Sequence, residues 1–134
     1  MKSSKNLKII HALLWLAQIL LALAFGMAGY LKVVMPMEDL LSRGMSFVVE
    51  YDVMMVRFIG AAELLSALGL ILPTLLRKLP WLTIWAAVSV SLIMILAAHY
   101  HWLHHEPILA NLMFLFLSVF VVWGRYKWVP IASR

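Results

Sequence analysis

The stretch Val53-Met54-Met55-Val56-Arg57-Phe58-Ile59-Gly60-Ala61-Ala62-Glu63-Leu64-Leu65-Ser66-Ala67-Leu68-Gly69-Leu70-Ile71-Leu72 decides the fold. Its length is the roughly 20 residues that a helix needs to cross a hydrocarbon core about 30 Å thick. It shows no apolar–polar alternation of period two, and four strands cannot close a membrane barrel, so the spans are helical. Three further apolar stretches share its character, giving predicted spans at residues 9–31, 53–72, 81–98 and 107–123. Breakers separate them: Pro36 and Gly44 after the first, Pro73 and Pro80 around the second connection, and Pro107 before the fourth. Pro107 is expected in a first helical turn, where a missing N–H costs nothing. The reading is all-α: a single membrane domain over residues 1–134, built as an integral membrane four-helix bundle.

Composition agrees. Of 134 residues, 65% are hydrophobic and 13% are charged, with a mean hydropathy of +0.97. Soluble domains carry about 25% charged residues, so a soluble globular enzyme and a disordered tail are both excluded. The net charge of +5 marks topology rather than nucleic acid. Lys2, Lys5, Lys8, Arg77, Lys78, Arg125, Lys127 and Arg134 all fall on one side of alternating spans. The positive-inside rule then puts both termini in the cytoplasm of a multi-pass cell (inner) membrane protein. Trp81, Trp85, Trp123, Tyr126 and Trp128 form the inner aromatic belt, and Tyr30, Tyr51, Tyr100 and Trp102 the outer one. Ala22-Leu23-Ala24 resembles a signal cleavage site, but the apolar run is longer than a signal core and completes an even set of spans, so it reads as the first span. Cysteine is absent, which excludes disulfides, thiolate nucleophiles and Cys-ligated metals from this chain.

The outer loop, residues 33–52, is the longest connection. Its segment 37–43 between Pro36 and Gly44 suits a short interfacial helix. Met35, Met37, Met45, Met54 and Met55 gather at that level, and interfacial packing is favoured over an adaptable binding surface.

Ionisable residues within a span each need a reason, because a central charge costs at least about 2.5–3.5 kcal/mol on insertion scales. Glu63 lies near the middle of the second span, on a face of small residues that another helix can approach. It is read as a proton-accepting or ligand-anchoring carboxylate, with a structural interhelical hydrogen bond as the alternative. Arg57 lies on the same helix but points elsewhere. Lys32 ends the first span and leans toward Glu63 across an expected vertical gap of about 13 Å, to be filled by water or ligand. For both cations the alternative is snorkelling to the headgroups. Gln18 and Asn111 are read as pocket polar groups or as helix-packing glue, Asn111 sharing a stripe with Ser118. His99 is placed at the mouth of an outward-opening pocket. His101, His104, His105 and Glu106 crowd beside it without matching a zinc motif, and no metal is assigned. No phosphate loop, nucleophile triad or dinucleotide fingerprint is present.

Three segments carry a family resemblance. Phe25-Gly26-Met27-Ala28-Gly29-Tyr30-Leu31-Lys32 resembles the small-residue and lysine ending of the first helix in DoxX-like membrane proteins. Arg57-Phe58-Ile59-Gly60-Ala61-Ala62-Glu63-Leu64 followed by Leu68-Gly69-Leu70-Ile71-Leu72-Pro73 is similar to that family's second helix, and Ala97-Ala98-His99 to the end of its third. The resemblance covers nearly the whole chain and implies a bacterial four-helix membrane protein. It also implies association with membrane oxidoreduction, as in a thiosulfate–quinone oxidoreductase subunit, with oxidative-stress complexes, or in animals with receptor assembly. Family roles that use cysteine do not transfer.

The expectation is therefore a small membrane subunit of a redox or stress-response system. It would bind a quinone-like or amphipathic molecule through Glu63, Arg57, His99, Asn111, Gln18 and Lys32. It would have no intrinsic cofactor beyond a bound quinone, and electrons would come from a partner oxidoreductase. The rivals are a non-enzymatic assembly factor holding a client membrane protein and a small homo-oligomeric transporter.

Overall fold

The computed structural model describes residues 3–134; Lys2, one of the expected topology markers, lies outside them. The helices are α1 (Ser4–Val34), α2 (Met37–Ser42), α3 (Val53–Leu76), α4 (Trp81–Leu103) and α5 (Leu109–Trp123). A 3₁₀ turn at Ser46–Val49 precedes α3, and a π turn at Gly124–Trp128 prolongs α5. α1, α3, α4 and the extended α5 are each long and apolar enough to cross a membrane. Their large side chains face outward: Leu23, Met27, Phe58, Leu65, Leu96 and Phe116 are all exposed, as lipid contact requires. The chain is a multi-pass membrane protein.

Local chemistry starts and stops each helix. Ser3 Oγ accepts from the Asn6 N–H at 3.3 Å and Asp52 Oδ1 from the Met55 N–H at 2.9 Å, capping α1 and α3. α4 closes with His105 in the left-handed region at φ 58. The Glu106 N–H returns to the His101 carbonyl at 2.8 Å and the His105 N–H to Trp102 at 3.2 Å.

That closure moves α5 from its expected start. Residues 105–108 are used in turning the chain, so Pro107 precedes the helix instead of sitting in its first turn. Pro73, expected to bound the second span, lies buried inside α3. Proline removes one helical hydrogen bond, and within a membrane the disturbed carbonyls are re-satisfied by neighbours. The carbonyl that Pro73 deprives of its helical donor is that of Gly69; beside it, the Leu70 carbonyl accepts from Gln18 Nε2 of α1 at 2.5 Å.

The long helices form a ring in the order α1–α3–α4–α5, closed by α5 against α1. Neighbours are antiparallel: Thr74 pairs with Thr83 and Ser66 with Ser89 across α3–α4. Across α4–α5, Ser91 pairs with Ser118 at 2.8 Å, and the ring of Phe25 meets Phe114 edge-on between α1 and α5. Leu21, Leu70, Ala87, Val90 and Val121 fill the centre. Interhelical hydroxyl bonds of this kind average only about 0.6 kcal/mol, so they fix register more than they supply stability.

One end of the bundle carries both termini. At the other, α2 and the 3₁₀ turn fold into a cap with its own core of Leu40, Val48 and Val56. Met35, Met37 and Met45 pack on that core, whereas Met54 and Met55 are exposed. The methionine cluster is therefore split between cap packing and surface.

The closest helix approach is α1 on α3. A Cβ on Gly60 would lie 2.7 Å from Lys32 Cβ and 2.8 Å from the Gly29 carbonyl, and one on Gly29 would lie 2.6 Å from the Gly60 carbonyl. Backbone cannot yield there as a flexible side chain does. Gly60→Ala is therefore expected to lower stability by about 1–3 kcal/mol, read as an earlier thermal transition in detergent. Gly26→Ala, whose Cβ would meet Ala67 at an ordinary 3.6 Å, serves as the tolerated control.

Candidate functional site

The glycine crossing sets the level of every charge at the capped end. Because Gly60 faces Lys32, Lys32 lies about 10 Å below the start of α3, and the end of α1 at Val34 lies about 7.5 Å, or five residues, below it. α1 therefore ends beneath the cap, short of the level at which α3 begins. Lys32 and Glu63 are buried, 8% and 4% exposed, and they touch directly. Lys32 Nζ donates to Glu63 Oε1 at 2.9 Å and to Oε2 at 2.8 Å. The expected 13 Å gap is corrected: it took the end of α1 to lie level with the start of α3, and the stagger removes most of it. Each side chain leans toward the N-terminus of its own helix, which on antiparallel helices brings the two together. Phe47 of the cap lies over the ammonium, 5.6 Å from ring centroid to Nζ, so the third side of the cation meets a π face.

Arg57 has a separate task. Its Nη1 donates to the carbonyls of Lys32 at 2.6 Å and Met35 at 2.7 Å. It is a side-chain cap on the buried carbonyl end of α1, where a positive charge also meets the helix dipole favourably. It does not snorkel.

The remaining sequence-predicted residues lie elsewhere. Asn111 is half-buried in the α4–α5 seam, its Nδ2 3.9 Å from Met94 Sδ. His99 is exposed on α4 and joins no hydrogen bond among the described residues. Gln18 is fully buried but sits 14 residues from Lys32 on α1, about 21 Å along the helix. Its Oε1 accepts from Arg125 Nε at 2.7 Å, while its amide N–H groups reach Leu70 O and Thr74 Oγ1. Of the six candidates, Lys32, Glu63 and Arg57 form one site, and Gln18 belongs to a second polar centre at the termini end.

That second centre holds Arg125, His11, Thr74 and Thr83, which sequence reasoning did not single out. Arg125 was counted only as a topology marker. A signal was available: Asn111, Ser118 and Arg125 are spaced seven apart, and the stripe joining the first two reaches the arginine after one more heptad.

The histidines fasten the cap. His101 Nδ1 bonds Glu106 Oε2, and Glu106 Oε1 accepts from Ser46 Oγ at 2.8 Å. His104 Nε2 lies 2.7 Å from Glu50 Oε1, with the Tyr100 ring stacked on its imidazole at 4.0 Å. Hydrogen bonds from His101 and Ser46 hold the Glu106 carboxyl below its ordinary 4.5. The Tyr100 carbonyl, then Glu50, lift His104 above 6.5.

Two predictions come from this geometry. Glu63→Gln leaves a buried ammonium without a carboxylate and should cost roughly 3–5 kcal/mol, whereas Lys32→Met with Glu63→Met should recover most of it; melting of the single and double variants decides. For the cap, the Glu106 contribution is present above pH 4.5 and fades as pH falls through its lowered folded value. The His104 contribution is present below pH 6.5 and fades as pH rises through its raised one. Amide exchange at Ser46–Val49 should thus be most protected between pH 4.5 and 6.5, after correction for intrinsic rates, and less so at alkaline pH.

No curated protein and no solved structure is matched by this chain. The model of the DoxX-like family matches residues 16–121, a range that includes the Lys32–Glu63 pair, and the chain belongs to that family.

Proposed function

We propose that the protein is a small membrane subunit of a redox or stress-response system, and that an amphipathic, quinone-like molecule is received at the Lys32–Glu63 pair. The observation that carries this reading is a buried, fully engaged ion pair beneath a separately fastened cap. Two charges of high desolvation cost are kept inside the apolar layer, and such groups mark ligand or proton sites by default. Lys32 offers a donor to a ligand carbonyl, and Glu63 exchanges a proton with it or accepts from its hydroxyl. Electrons come from a partner oxidoreductase. The distribution of basic residues supports termini facing the cytoplasm of the inner membrane.

A second reading, an assembly factor for a client membrane protein, draws on the pair being complete within the chain and on Arg57 being spent on α1. Native mass spectrometry of protein extracted gently from its own membrane separates the two. The proposed role expects a bound molecule of quinone mass, absent from the folded Lys32→Met/Glu63→Met variant. Retention of that molecule by the double variant overturns the site. A wild-type protein that carries no small molecule but a stoichiometric membrane partner establishes assembly instead.

A further inference from the structure

The termini end contains a charge that the chain does not balance. Arg125 is 3% exposed, and among the described residues no carboxylate lies within ion-pair distance of it. The sequence explains why: its acidic residues are Glu38, Asp39, Glu50, Asp52, Glu63 and Glu106. Glu63 is held by Lys32, and the other five belong to the connections at the capped end. Three neutral acceptors surround the guanidinium instead. Nε donates to Gln18 Oε1 at 2.7 Å, and Nη1 donates to His11 Nδ1 at 3.0 Å and to the Val129 carbonyl at 3.3 Å. Nη2 is buried and has no partner. A buried cation is normally paired, and an orphaned charged donor is costly.

Arg125 also forms part of the wall of a cavity of about 210 Å³, together with Thr74, Trp81, Ile84, Tyr126 and Ile131. This is smaller than the roughly 300–1,000 Å³ of pockets for drug-sized ligands and several times the 30 Å³ share of one water. It suits a head group rather than a whole small molecule. Its rim is that of a membrane boundary: Trp81 and Tyr126 are exposed, and aromatic side chains of this kind settle at headgroup level. The N-terminus of α4 begins at Trp81 and adds the positive end of a helix dipole.

We propose that this cavity binds the phosphate of an anionic phospholipid, with Arg125 as its anchor. The Val129 carbonyl makes the longest of the arginine's hydrogen bonds and belongs to the C-terminal segment that also supplies Ile131. Phosphate oxygens displace it, so that Nη1 and Nη2 present a two-pronged donor of the geometry that phosphate prefers. The acyl chains leave past Trp81 and Tyr126 into the bilayer. Gln18 and His11 position the guanidinium and do not touch the lipid.

The test is native mass spectrometry of the full chain released from nanodiscs of equal phosphatidylglycerol and phosphatidylcholine, with inorganic phosphate alone added in detergent as a separate arm. The wild type should retain one phosphatidylglycerol in preference to phosphatidylcholine. Arg125→Met should lower that retention about tenfold or more, the scale of a lost charge-assisted hydrogen bond. Ile131→Trp, which fills the cavity from the C-terminal segment and leaves the arginine's partners in place, should do the same and keeps the test valid if Arg125→Met does not fold. Equal retention of the two lipids by the wild type, or unchanged retention in Ile131→Trp, overturns the proposal. Binding of inorganic phosphate without either lipid overturns the lipid as its source.

Discussion

Ending a helix beneath a packed cap leaves as many as four backbone carbonyls in need of partners, and the way α1 meets that constraint organises the whole capped end. α1 stops about one and a half turns below the start of α3 because Gly29 and Gly60 let the two backbones pack closely at this register. The exposed carbonyls then need a donor that reaches down from above, and Arg57, one turn into α3, supplies it. The same register puts Lys32 opposite Gly60, from where its side chain can meet only one carboxylate, Glu63. The cap follows in turn. Phe47 closes over the ammonium, Leu40 and Val48 pack behind it, and the histidine–glutamate contacts tie the cap to the end of α4.

The two ends of the bundle solve the cost of buried polarity differently. At the capped end the cation has a carboxylate, and the low dielectric strengthens their attraction. At the termini end the cation has no carboxylate among the described residues: it meets amide, imidazole and carbonyl acceptors and lies 5.8 Å from the centre of the Trp15 ring. Gln18 links that centre to α3 beside Pro73, since its amide donates to the Leu70 carbonyl while its oxygen receives Arg125. The π turn contributes as well: Gly124 lies against Leu14 so closely that a side chain there would collide with it, and this contact lets the following arginine turn inward beside α1.

Much of this was legible from the sequence, and the misses share a cause. Hydropathy placed four spans because apolar length is a one-dimensional property. The inward charges Lys32, Arg57 and Glu63 stood out because each breaks an apolar run. Their pairing was misjudged because vertical positions were counted from helix ends, whereas the true reference is the glycine contact between helices. Pro73 was taken as a stop because a proline's cost in an isolated helix is real, whereas the packing that holds α3 together beside it, Gln18 on the Leu70 carbonyl, comes from another helix 55 residues away in sequence. Arg125 was passed over for a related reason: a basic residue near a span's end is usually a topology marker, and only the heptad spacing from Asn111 and Ser118 says that this one faces inward.

The closed state of the ion pair limits what the proposed ligand can be. A neutral quinone head offers acceptors and no donors, so it can take the place of Glu63 at the Lys32 ammonium but cannot satisfy the carboxylate it displaces. An unpaired carboxylate at that depth is costly. In the proposed role such a head would therefore need a further donor beneath the cap for the carboxylate it parts from Lys32. A hydroquinone head, which carries its own donors, would satisfy that carboxylate directly. The proposed role would thus favour the reduced form of such a molecule over the oxidised one, a discrimination that depends on Lys32 and Glu63 standing side by side.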